Sequence, residues 1–190
     1  MKFGPVRLMA VVAFCLPVYL ARAQSSGYHQ LRVEEFQGFP DVTSRDNVAY
    51  TNCYIDFNYH AKSERGSTVL LTCDVKLIFD REKSWINHTK VTSAKMIKDI
   101  LDHEQGHYMI AYMEQQELLR TINKTRFDTN YQIEASNIFD RIHEKYKQLS
   151  LDYDDDTGHM QNHEQQHSWD TYFKKRLAYM PQTELARNQY

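Results

Sequence analysis

The sequence is poor in the residues that mark fibrous or disordered chains. Of 190 residues only 6 are glycine and 4 are proline, which excludes a collagenous, low-complexity or largely disordered chain. No excess of one charge shows: 23 Lys and Arg stand against 25 Asp and Glu, a formal net of −2. The basic surplus expected of a nucleic-acid-binding domain is therefore missing. Only 3 cysteines are present, too few for a disulfide-built scaffold. Long apolar runs are also missing after Leu20; the one run, Leu8 to Leu20, falls short of the roughly 20 residues that span a bilayer. What is there, 42% hydrophobic and 25% charged residues, suits a globular domain with a real core.

The N-terminus has the parts of a secretory signal peptide. Lys2 and Arg7 precede the apolar run, and Ala21-Arg22-Ala23 closes it with a small-residue cleavage pattern. Residues 1–23 are read as this signal and residues 24–190 as one domain, exported to the periplasm or beyond the cell. Losing Lys2, Arg7 and Arg22 leaves 20 basic residues against 25 acidic, a net of −5. No nucleic-acid partner and no integral membrane segment are expected after cleavage. Cys15 leaves with the signal, and the even pair Cys53 and Cys73 in an exported chain predicts one disulfide.

Hydrophobic periodicity gives the element order. Cys53, Ile55, Phe57 and Tyr59 alternate with polar neighbours, and Val69, Leu71, Cys73, Val75, Leu77 and Phe79 share one parity. Each pattern marks a strand with one buried face, and the polar stretch 62–67 predicts a turn joining them into an antiparallel hairpin. A turn centred on Ser63 sets the two cysteines opposite each other; one centred nearer Gly66 does not. From Ala94 to about Asn123 the period becomes helical. A second helix is predicted to end near Tyr153, before the polar break Asp154-Asp155-Asp156-Thr157-Gly158, and a last helical stretch carries Trp169, Tyr172, Phe173 and Leu177. Strands first and helices after them predict an α+β fold, a hairpin packed on one long helix.

Inside the long helix lies His103-Glu104-Gln105-Gly106-His107, an H-E-x-x-H string. Four residues along a helix return to the same face, so both imidazoles reach one ion, and zinc suits such a pair. Glu104 stands beside the first ligand, where a carboxylate can take a proton from a zinc-bound water and pass it to a leaving amine. A second string, His163-Glu164-Gln165-Gln166-His167, competes for the role. The first is flanked by Ile100, Leu101, Met109 and Ile110, as a helix beneath a cleft requires, whereas Gln161, Asn162 and Ser168 frame the second as a solvated surface. The first is therefore the candidate. A catalytic zinc usually takes a third protein ligand. Glu134, Asp156, His159 and His163 are candidates, and spacing alone leaves Glu134 and His159 level.

Four stretches occur in one order: Phe36 to Asp41, Phe79 to Trp85, His103 to His107, and Tyr153 to Trp169. In order and spacing they resemble a bacterial family of secreted proteins, domain of unknown function nine-two-two, grouped with the zincin metallopeptidases. The last segment of that family reads approximately Y-D-x-x-T-x-H-G, then Q-x-x-W. Tyr153, Asp154, Thr157, His159, Gln166 and Trp169 match it, and Met160 departs at the glycine. The resemblance implies a zincin-like fold, places the third-ligand role on His159, and leaves His163 and His167 without one.

The expected function is an exported zinc peptidase with His103, His107 and His159 as ligands and Glu104 as the catalytic residue, acting on a peptide or protein. An amidase for cell-wall peptides would use the same chemistry. The alternative from another class is a secreted zinc-binding structural or interaction module without turnover, in which Glu104 has no task.

Overall fold

The computed structural model describes residues 28–41, 43, 47–63 and 68–180. The signal-peptide reading of residues 1–23 lies outside them. The fold is α+β, as the periodicity predicts. In chain order β1 (Ala49–Tyr50) is followed by β2 (Cys53–Ser63), β3 (Val69–Phe79) and β4 (Trp85–Ile86), then by α1 (Ala94–Lys124), α2 (Tyr131–Thr157) and α3 (His163–Tyr179). Among the described residues no helix is long and apolar enough to cross a membrane.

β2 and β3 form the long antiparallel hairpin, with Ile55 opposite Leu77, Phe57 opposite Val75 and Tyr59 opposite Cys73. That register puts the apolar parity of both strands on one face, and the face packs on α1. Leu71 and Val75 share a core with Met109, Met113, Leu118, Leu119 and Ile122 of α1 and with Ala135, Ile142 and Tyr146 of α2. The same register overturns the expected disulfide. Cys53 pairs with Phe79 and Cys73 with Tyr59, six ladder positions apart, or roughly 20 Å at 3.3 Å per residue. A disulfide needs Cα atoms within about 7 Å, and both thiols are free. Of the two registers the sequence left open, the ladder has the one that separates the cysteines.

β1 and β4 form a second, two-residue antiparallel ladder, with Tyr50 opposite Trp85. The segment from Phe36 to Gly38 clamps onto the turn before β4: the Gln37 amide donates to the Arg81 carbonyl at 3.0 Å and the Gly38 amide to the Ser84 carbonyl at 2.8 Å. A Cβ on Gly38 would stand 2.7 Å from the Glu82 carbonyl oxygen, so the clamp requires glycine. Just upstream, the Glu35 carboxylate is buried and takes His29 at 2.8 Å and Arg81 at 2.6 Å.

α1 begins at Ser93, whose hydroxyl caps the Met96 amide at 3.1 Å. α2 ends four residues later than the periodicity predicts. The acidic run does not stop it; Gly158 does, in the left-handed conformation at φ 54°, with its amide returned to the Asp154 carbonyl. Asp154 is therefore helical.

Candidate metal centre

α1 and α2 pack antiparallel, since His103, His107 and Glu114 along α1 meet Asp154, Ser150 and His143 in descending order along α2. Close approach at the centre of this seam depends on Gly106. Its missing side chain makes room for the ring of Tyr153, which is fully buried and stacks on the His103 imidazole at 4.8 Å between centroids. The Tyr153 hydroxyl donates to the His103 carbonyl at 3.0 Å and accepts from Gln166 Nε2 at 2.8 Å. Burial pushes this phenol well above its ordinary pKa, so it is a neutral spacer and donor. Gln105, inside the motif, ties down the N-terminal segment: its Oε1 accepts from the Leu31 amide at 2.8 Å and its Nε2 donates to the His29 carbonyl at 3.0 Å.

On this frame the two imidazoles converge. Nε2 of His103 lies 3.2 Å and Nε2 of His107 3.0 Å from Asp154 Oδ1. Among the described residues, His103, His107 and Asp154 are the group whose ligand atoms all lie within 4.8 Å of one another, close enough to hold a metal ion. Ligands about 2.0–2.1 Å from a tetrahedral ion sit roughly 3.3 Å apart, close to these separations. The other ring nitrogens face hydroxyls of α2: His107 Nδ1 stands 2.9 Å from Ser150 Oγ and His103 Nδ1 3.4 Å from Thr157 Oγ1. Ser150, Asp154 and Thr157 are spaced i, i+4, i+7, one stripe of α2. Outer partners of this kind fix the ring orientation and tautomer of metal-binding histidines.

Burial alone would raise the Asp154 carboxyl, but hydrogen bonds from His103 and His107 and their charges hold it well below the usual carboxylate range. Burial likewise pulls His107 down, and the hydrogen bond to Asp154 with the charges of Glu104 and Asp154 outweighs it, leaving the imidazole above its ordinary value. Glu104 is 4% exposed, and its Oε2 is buried without a hydrogen-bond partner among the described residues. An unpaired buried carboxylate oxygen is costly, so it fits a place where a ligand or polarised water is to stand. The group opens into a cleft of about 420 Å³, bounded by residues 47–51 along β1 and by the facing sides of α1 and α2. Cys53 also borders it, its thiol pushed up to about 12 by burial and by the Glu104 charge.

The remaining candidates separate clearly. His159 stands at the cleft rim, its side chain 56% exposed, with Nδ1 3.2 Å from Asp154 Oδ1. Glu134 lies in the first turn of α2, roughly 30 Å along the helix from Asp154 at 1.5 Å per residue. Asp156 is exposed and accepts from Trp169 Nε1 at 3.0 Å. The second H-E-x-x-H opens α3 with both histidines exposed and borders a different, smaller hollow. Asp154 is the residue the sequence reading passes over. Its signal was present, at i+4 from Ser150 and directly after Tyr153, but the acidic run disguised it as a loop.

No curated protein and no solved structure matches the chain. Residues 29–160 match the model of a family described as bacterial protein of unknown function, DUF922, a span that holds the hairpin, the whole of α1, Asp154 and His159. The chain, which carries its paired histidines and their carboxylate partner inside that span, belongs to this family.

Proposed function

We propose that the protein is an exported zinc peptidase whose ion is held by His103, His107 and Asp154. The observation that carries the reading is one juxtaposition: two imidazoles one helical turn apart, a carboxylate from a second helix at ligand spacing, and an unpaired buried carboxylate oxygen on Glu104 beside them. The donor set fits zinc, which takes nitrogen and carboxylate oxygen ligands and keeps an open position in catalytic sites. When bound, zinc acts as a Lewis acid that acidifies water toward a pKa of about 7 and polarises a carbonyl.

The chain supplies the rest. Ser150 and Thr157 orient the two rings, so that both Nε2 atoms present lone pairs to the same point. Glu104 accepts a proton at its unpaired Oε2 from water attacking the peptide carbonyl, then returns it to the leaving amine nitrogen. The cleft between β1, α1 and α2 admits an extended peptide or protein segment. His159, on the rim, assists by hydrogen-bonding Asp154. The zincin-like kinship implied by H-E-x-x-H is part of this proposal, as is export, which rests on the N-terminal signal pattern; N-terminal sequencing of the protein from cell fractions checks the latter.

The test is Glu104→Gln, which keeps side-chain size and removes basicity. Zinc content measured by mass spectrometry should stay near that of wild type while cleavage of a peptide library falls by roughly 10²–10⁴-fold. Wild type that carries zinc and cleaves nothing in peptide and cell-wall libraries would instead establish the zinc-binding module without turnover.

A further inference from the structure

The cleft continues beyond the metal centre to a second charged group that the peptidase reading does not use. Glu114 follows His107 by two turns of α1 and borders the same cleft, as does His143 from α2. Glu114 is 7% exposed, and its Oε1 takes a single bond, from His143 Nδ1 at 2.9 Å. No other hydrogen-bond partner of Glu114 stands among the described residues. Lys147, the nearby cation on α2, turns its ammonium to Glu144 at 3.2 Å instead. Burial pushes the Glu114 carboxyl above its ordinary value despite the imidazole beside it. An under-compensated anion in a cleft favours a cationic guest, because a charged hydrogen bond gains strength where water is scarce.

We infer that Glu114, flanked by His143, forms a subsite for a cationic group of the substrate, an ammonium or guanidinium. Seven residues of helix place it roughly 10 Å along α1 from His107. An extended peptide covers that in about three residues at 3.3–3.6 Å each, and a lysine or arginine side chain covers it from a residue nearer the ion. The guest is therefore either a basic side chain or a free N-terminal amine. His143, with a half-exposed side chain, is the part that gives way or stays as a second wall. Glu114 is here a specificity-determining residue, with no part in bond cleavage.

This inference rests on the metal-centred peptide reading, so its test separates the two. Zinc-loaded Glu104→Gln protein, which needs no turnover, is titrated by fluorescence anisotropy with three labelled peptides of equal length. One has an internal lysine and an acetylated N-terminus, one has a free amine and no lysine, and one is acetylated with norleucine. One of the cationic peptides should bind about 10–100-fold more tightly than the neutral one, and which one identifies the source of the charge. Adding Glu114→Gln should abolish the difference, while adding His143→Ala should preserve it; a purely structural Glu114–His143 pair would give no difference to abolish. If Glu114→Gln does not fold, competition by arginine amide but not by citrulline amide in protein with Glu114 intact carries the test. Equal binding of all three peptides, or a preference that survives Glu114→Gln, overturns the subsite, and cleavage of neutral peptides by wild type would leave the peptidase reading standing. A Glu114-dependent preference with no cleavage by wild type would do the reverse. Failure of every peptide to bind or be cleaved refutes both.

Discussion

Gly106→Ala changes one hydrogen to a methyl group in the middle of α1, and the expected sign runs against helix propensity. In a helix interior alanine is more favourable than glycine by about 1 kcal/mol, so in open space the substitution stabilises. Here the new Cβ falls onto the Tyr153 ring, with Cε1 at 2.7 Å and the ring carbon and hydroxyl beyond it nearer still. Tyr153 has nowhere to go: it is fully buried, stacked on His103 and edge-on to Trp169 and Phe173. Forcing extra volume into such a site costs about 1–3 kcal/mol, and losing the hydroxyl's bond to the His103 carbonyl adds about 1 kcal/mol. After the propensity gain, a net loss of about 1–3 kcal/mol remains. For a chain of this length each kcal/mol lowers Tm by roughly 2–4 °C, well within reach of calorimetry or of urea unfolding. Because the displaced ring supports His103, zinc affinity should fall as well. The control is the same substitution in Tyr153→Leu, where the clash is gone and Gly106→Ala should become neutral or stabilising relative to that parent. Gly106→Ala protein as stable as wild type, with unchanged zinc, would refute the packing argument.

Zinc retention distinguishes the two third-ligand assignments: Asp154→Ala should lose most of the metal and His159→Ala only part of it, while Glu134→Ala and His163→Ala keep it. The opposite order for Asp154 and His159 would return the ligand role to His159. Denaturation without reductant, followed by thiol labelling and mass spectrometry, should find Cys53 and Cys73 both reactive; a protected pair would contradict the hairpin register. Burial opposes ionisation of Glu35, but the hydrogen bond from His29 and the Arg32 amide, with the His29 and Arg81 charges, hold its carboxyl below the ordinary value. A depressed native pKa contributes stability above the unfolded carboxylate value of about 4.3 that disappears as pH falls through the native one. The urea midpoint of wild type should therefore drop more steeply than that of Glu35→Gln between pH 6 and pH 3.

The long hairpin and the helices were legible in the sequence because they depend on local spacing, whereas the two-residue strands β1 and β4 were not. Period-two alternation located β2 and β3, helical periodicity located α1 to within a residue, and the apolar neighbours of His103 and His107 distinguished the core motif from its exposed copy in α3. A one-turn spacing already obliges both imidazoles to share a face, so no long-range information is needed for that pair.

Tertiary structure alone decided what depends on pairing between distant segments. A turn slipped by a few residues keeps the same alternation, so the pattern could not tell a Ser63-centred hairpin from one centred on Gly66, and the disulfide expectation failed on that slip. The end of α2 hinged on whether three aspartates could remain helical at a C-terminus, where the helix dipole disfavours them. Two of the three gain distant partners there, Asp154 from two histidines of α1 and Asp156 from Trp169 of α3, which no window of local sequence contains. The carboxylate of the candidate metal group thus comes from antiparallel packing of α1 against α2, made close by the missing side chain of Gly106.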